Sequence, residues 1–171
     1  MPGGGETRVW MSFESGSKEI VKRLAGKRFG VVGVGNVLRG DDGAGPEVIA
    51  LLGGRIALPI VDASEVPENY GGWVVKESLD SVVFVDAVEL GGEPGELRII
   101  PLQKLLVSAS STHRLSLHYV IRYLEEEWGG DAILVGVQPK SLRLGEGLSA
   151  EVAEGVRKLA DVLVAAAAGG S

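Results

Sequence analysis

The chain has 171 residues, a formal charge of −6 at pH 7 and no cysteine. The length suits one domain that buries a core without disulfides. Without cysteine there is no thiolate zinc site and no cysteine nucleophile, so histidine, aspartate and glutamate are the strong ligands and bases. The negative charge disfavours nucleic-acid binding, and no apolar stretch or leader pattern indicates a membrane or an export signal. We therefore expect a cytoplasmic protein.

The amino-terminal residues differ from the rest in composition. Residues 1–26 are predicted to form an N-terminal extension that is rich in glycine and serine and contains one short helix, residues 17–25. We expect this extension to be an appendage. The domain itself is predicted over residues 27–168.

Strands and helices are predicted to alternate along the domain. Apolar runs predict strands at residues 29–34, 57–61, 82–85 and 132–137, and a short antiparallel edge strand at residues 97–100. Helical spacing predicts helices at residues 46–52, 67–77, 115–128 and 149–168. Ser149 is predicted to be the N-cap of the last of these helices. This order predicts a single-domain α/β fold, a twisted, mostly parallel sheet of about five strands with helices on both faces.

A glycine-rich loop with two adjacent carboxylates, Asp41 and Asp42, follows the first strand. Such loops usually bind phosphate, but carboxylates repel phosphate and are hard ligands for a cation. Either aspartate could instead shape the turn or cap the helix. Asp62 and Asp86 are predicted to follow the second and third strands. If the strand order is 2-1-3, the acids after strands one and three converge.

The two histidines, His113 and His118, differ in context. His118 lies inside a predicted helix, where a packed or solvated role is the usual one. His113 lies in a polar loop just before that helix and can reach the acids at the sheet edge. Two carboxylates and an imidazole suit nickel or zinc, and the composition does not choose between them.

Three other classes of site fit the sequence less well. The loop glycines do not follow the Gly-x-Gly-x-x-Gly pattern of dinucleotide binding, and Asp42 would lie beside the pyrophosphate. The Walker motif lacks its Gly-Lys-Ser/Thr. A serine mechanism is not expected, because there is no Gly-x-Ser-x-Gly turn and Ser111 beside His113 has no triad context.

Five segments together resemble the hydrogenase maturation protease family. They are GVGNVLRGDDGAG at residues 33–45, VDA at 85–87, GEPG at 92–95, STH at 111–113 and VGVQP at 135–139. The similarity runs from residue 29 to residue 163. It departs from the family at residues 63–66, Ala-Ser-Glu-Val before Pro-Glu-Asn-Tyr, so the loop after strand two is expected to differ in flexibility or in substrate contacts.

The resemblance implies an endopeptidase that removes the C-terminal extension from the nickel-loaded large subunit of a nickel-iron hydrogenase. It implies that Asp42, Asp86 and His113 bind metal and that Asp42 and Asp86 are catalytic. It also implies that the precursor presents the nickel, and we expect that zinc or another divalent metal can substitute in the isolated protein. The expected partner is the large-subunit precursor, and we expect a monomer. The alternative is a non-cleaving nickel-sensing module on the same fold.

The resemblance leaves the hydrolytic step open. A carboxylate could act as general base on water. A bound metal could instead polarise the carbonyl and lower the pKa of water.

Overall fold

The computed structural model of the protein describes residues 13–107 and 111–169. Within these ranges the strands are β1 (Phe29–Val34), β2 (Ile60–Ser64), β3 (Ser81–Ala87), β4 (Leu97–Ile99) and β5 (Asp131–Val137). The helices are α1 (Phe13–Leu24), α2 (Ala44–Leu52), α3 (Gly71–Lys76), α4 (Leu102–Val107), α5 (Arg114–Glu127) and α6 (Ala150–Gly169). Two 3₁₀ turns, Gly40–Gly43 and Pro67–Tyr70, precede α2 and α3.

The five strands form one sheet in the order β2-β1-β3-β5-β4. All neighbours are parallel except β4, which runs antiparallel to β5. This confirms the predicted α/β class, the mostly parallel sheet, the 2-1-3 order and the antiparallel edge strand. Because β1 and β3 are hydrogen-bonded neighbours, the loops that leave their carboxyl ends start side by side.

Helices cover both faces of the sheet. One buried cluster joins α1, α2 and α6 to the sheet, and a second cluster joins α3, α4 and α5 to the opposite face. Every residue of β1 and β3 is buried, as expected of strands between two helical layers. Each buried Val, Leu or Phe side chain contributes about 1.5–3 kcal/mol. No helix in the two described ranges is long and apolar enough to span a membrane.

The predicted bounds of the second strand are wrong. The strand is Ile60–Ser64 rather than residues 57–61. Pro59 lacks the N–H that a ladder needs, so regular pairing starts after it. Asp62 consequently lies inside the strand rather than after it, is exposed, and accepts a hydrogen bond from Ser64 N at 2.8 Å.

The description of the N-terminal extension as an appendage is also wrong for its described part. Its helix spans Phe13–Leu24 rather than residues 17–25, and Ile20 and Leu24 belong to the core cluster shared with α6. Arg23 also forms an ion pair with Asp131 of β5 at 2.6 Å. The helix is therefore part of the folded domain, while residues 1–12 lie outside the described residues.

The third strand and the helix before it differ in detail from the prediction. Strand β3 continues to Ala87, so Asp86 is its penultimate residue and pairs with Gly136 rather than following the strand. The predicted helix 67–77 is a 3₁₀ turn followed by α3. Helix α4 was not predicted, because its six residues carry too short a pattern.

Gly45 controls how closely α2 approaches the sheet. A Cβ at this position would overlap the carbonyl oxygens of Val34 in β1 and Val85 in β3. We expect Gly45→Ala to lower the free energy of unfolding by about 1–3 kcal/mol or more, because backbone must move to admit the methyl group. Urea unfolding with Gly72→Ala as control checks this, since within the described residues no heavy atom lies within 4 Å of that added Cβ. A Gly45→Ala protein that unfolds at the wild-type urea midpoint would contradict this expectation.

Candidate active site

Three buried side chains meet at the carboxyl edge of the sheet. Asp42 comes from the 3₁₀ turn after β1, Asp86 from the end of β3, and His113 from the residue before α5. One ligand atom of each lies within 4.8 Å of the others. The three residues predicted as metal ligands are thus brought together.

The loop after β1 holds Asp42 by backbone contacts. The Oδ2 atom of Asp42 accepts a hydrogen bond from Asn36 N at 2.9 Å. Asn36 Oδ1 in turn accepts one from Leu38 N at 2.9 Å. Gly35 has φ of +144°, and a Cβ there would overlap the carbonyl oxygen of Asp42. Glycine at this position therefore lets the loop fold back onto its own aspartate.

Ser111 connects Asp86 to His113. The Ser111 hydroxyl donates to Asp86 Oδ2 and accepts from His113 N at 3.0 Å. The imidazole Nδ1 lies 3.4 Å from Asp86 Oδ1. One hydroxyl thus fixes both the carboxylate and the backbone that carries the imidazole.

The buried, charged surroundings shift the pKa values of Asp86 and His113. Burial raises the pKa of Asp86 and the nearby Asp42 charge raises it further, and together they outweigh the lowering by the contacts with His113 and Ser111. Burial alone would lower the pKa of His113, but Asp86, Asp42 and Glu65 raise it more, so the net shift is upward. Two clustered acids and an imidazole supply oxygen and nitrogen donors that a divalent cation would neutralise.

A family model described as hydrogenase maturation protease matches residues 47–166. The chain belongs to the hydrogenase maturation protease family. The matched range contains Asp86 and His113, whereas Asp42 lies before it.

Individual relatives of the protease agree with this. Hydrogenase 3 maturation protease of Escherichia coli K12 is 34% identical over 113 residues, which cover 62% of this chain and 69% of that protein. The crystal structure of the [NiFe] hydrogenase maturation protease HycI from Thermococcus kodakarensis is 36% identical, covers 88% of this chain and 99% of its own, and has a TM-score of 0.79. The hydrogenase maturating endopeptidase HybD from E. coli is 28% identical with a TM-score of 0.68, over 81% and 91% of the two chains.

These relatives establish the chemistry of the protease. It is an endopeptidase, a hydrolase acting on peptide bonds. The comparisons support the predicted maturation protease and not the non-cleaving module.

The adjacent aspartates of the protease have different surroundings. Asp41 is fully buried and accepts hydrogen bonds from the backbone N–H groups of Lys140, Ser141 and Ser149 at 2.7–3.1 Å, and from the Ser149 hydroxyl. The Ser149 hydroxyl in turn accepts from Val152 N at 3.4 Å, which confirms this serine as the cap of α6. Asp41 therefore joins two loops and a helix start, and Asp42 alone of the pair enters the donor cluster.

Glu65 contacts a residue of the donor cluster, whereas His118 does not belong to the cluster. Glu65, from the segment that departs from the family pattern, lies with Oε1 3.5 Å from His113 Nε2 on the solvent side. The sequence predicts only that the loop containing Glu65 differs in flexibility or in substrate contacts, and gives this residue no role of its own. His118 lies away from the donor cluster, edge-on to Tyr119 with ring centroids 6.0 Å apart.

The sequence predicts no nucleophilic role for Ser111, and its contacts with Asp86 and His113 indicate that it supports the site. We expect Ser111→Ala to lower processing about 10–100-fold, as loss of a group that orients metal ligands does. The substitution should also lower the free energy of unfolding by about 1–3 kcal/mol, because His113 N and the buried Asp86 carboxylate lose a partner, so rates are compared at a temperature where both proteins are folded. Ser111→Thr keeps the hydroxyl and is the matched variant. A Ser111→Ala protein that processes precursor at the wild-type rate would remove this role.

Proposed function

We propose that the protease cleaves the C-terminal extension from the large-subunit precursor of a nickel-iron hydrogenase, and that Asp42, Asp86 and His113 contact the nickel that this precursor carries. The observation that carries the proposal is the buried cluster of two carboxylates and one imidazole at the carboxyl edge of the sheet. Nickel is here a part of the substrate.

The donor set suits a metal that is shared with a partner. Three protein donors leave coordination positions open, as in sites where the metal also holds substrate. A precursor without nickel lacks these ligand-to-metal bonds and binds less tightly. A hundredfold preference for loaded precursor requires about 3 kcal/mol, which loss of such bonds supplies. Zinc or another divalent metal can occupy the same donors in the isolated protein.

Asp42 and Asp86 are the proposed catalytic residues. A carboxylate at this edge can take the proton of the attacking water as general base. The nickel of the precursor can polarise the scissile carbonyl, which lowers the barrier for the same attack. In both routes Ser111 and Asn36 keep the carboxylates in place while the peptide is held over them.

The test mixes the purified protease with nickel-loaded and with nickel-free precursor and follows the precursor's mass. We expect shortening of the loaded precursor alone. Equal shortening of both forms would contradict the role of nickel, and stable binding without shortening would contradict cleavage. The mass of the product also gives the position of the cut.

We also propose that the protease acts as a monomer, supported by a donor cluster that comes entirely from one chain. Light scattering of the purified protein gives the mass that tests this. The cytoplasmic location stays a prediction from the sequence.

A further inference from the structure

A cavity of about 200 Å³ lies beside the donor cluster. Its walls come from the segment after Asp86, from the serine that binds Asp86, and from the loop after β5. They are Ala87, Glu89, Ser111, Thr112 and Pro139 to Leu142. Pockets for drug-sized ligands measure about 300–1,000 Å³, so this cavity has room for one long side chain. Because Ser111 both lines the cavity and binds Asp86, the cavity lies next to a proposed catalytic carboxylate.

Glu89 is held in a fixed position at the cavity wall. Its Oε2 accepts a hydrogen bond from Gln138 Nε2 at 2.8 Å, and its Oε1 accepts one from Gly91 N at 3.0 Å. Gln138 is itself buried, and its Oε1 accepts from Leu90 N and Gly92 N at 2.9 and 3.1 Å. The carboxylate is thus preorganised by a buried amide although it is exposed to solvent.

Glu89 has no cationic partner in the part of the chain that the structure describes. No Lys, Arg or His side chain within residues 13–107 and 111–169 forms an ion pair with it. Lys140 lines the same cavity, but its Nζ is paired with Glu151 at 3.0 Å. Of the two charged residues that line the cavity, Lys140 is paired and Glu89 is not, so Glu89 offers a fixed, unpaired carboxylate to an incoming basic side chain.

We propose that Glu89 is a specificity-determining residue that binds a lysine or arginine side chain of the precursor next to the cut bond. The aliphatic part of such a side chain would pack along Ala87, Pro139 and Leu142, and its charged end would reach the carboxylate. This rests on the proposed function and extends it to the residue that flanks the cut. It also gives a role to Gln138, which holds the carboxylate in place.

The experiment combines enzyme and substrate charges. Each basic residue of the nickel-loaded precursor near the cut is changed singly to Gln and to Glu, and kcat/KM is measured with wild type, Glu89→Gln and Glu89→Lys. For one basic residue, we expect neutralising either partner to lower kcat/KM about tenfold, the size of a lost charged hydrogen bond. The kcat/KM of Glu89→Gln with the neutralised precursor should be no lower than that measured when only one of the two partners is neutralised. Glu89→Lys should process the Glu-substituted precursor better than wild type does.

Glu93→Gln is the matched control, because Glu93 is an exposed acid on the same loop that does not line the cavity. It should leave every precursor's kcat/KM unchanged. If Glu89→Gln lowers kcat/KM by the same factor with every precursor, whether or not a basic residue has been substituted, the proposal is overturned. Cleavage itself would still be established by the wild-type rate. If wild type cuts no precursor, the proposed function fails, and the same variants are compared by Kd for the uncut precursor. Coupling in Kd would then support the subsite, and its absence would overturn it.

Discussion

Asp86→Asn is expected to abolish processing of the nickel-loaded precursor while the protein stays folded. The amide keeps the size of the carboxylate but is a weak metal ligand and cannot serve as a base at neutral pH. Residues that only orient metal ligands contribute about 10–100-fold, so loss of a direct ligand should exceed a hundredfold. Product mass over time gives the rate, and urea unfolding checks that the domain is intact.

The control for this experiment is the other histidine of the chain. His118→Ala should process precursor at nearly the wild-type rate, because His118 lies outside the donor cluster. Asp42→Asn and His113→Ala should match Asp86→Asn. Full processing by the Asp86→Asn protein would refute the shared-metal site, even if the fold and the family assignment stand.

The sequence predicted the position of the donor cluster because topology determines it. Two neighbouring parallel strands end at the same edge, so the acids that follow β1 and end β3 had to converge. His113 was identified by its place in a polar loop before an amphipathic helix. These inferences needed strand order and loop position only, and errors of two or three residues in strand bounds did not affect them.

Residues whose roles depend on contacts distant in sequence could not be predicted. Asp41 binds backbone N–H groups 99 to 108 residues away, and Ser111 binds a carboxylate 25 residues before it. No local pattern reports such pairs. The same holds for α1, whose short apolar stripe predicted a helix but not the core that it joins.

Asp41→Ala is expected to lower the free energy of unfolding by about 3 kcal/mol or more. The substitution removes the acceptor for three backbone N–H groups, and each such group left without a partner costs about 1–3 kcal/mol. The N–H groups that lose their acceptor belong to the loop after β5 and to the residue before α6. Chemical unfolding followed by circular dichroism measures it.

The neighbouring aspartate provides the matched comparison, because the two positions differ by one residue and carry the same side chain. Asp42→Asn should change stability by less than about 1 kcal/mol, since the amide oxygen can still accept from Asn36 N. It should nevertheless lose processing, whereas the Asp41→Ala protein should retain part of its activity at temperatures where it is folded. A folded Asp41→Ala protein with wild-type stability would show that the hydrogen bonds of Asp41 do not hold the loops together. The two aspartates would then have to be distinguished by something other than their contacts.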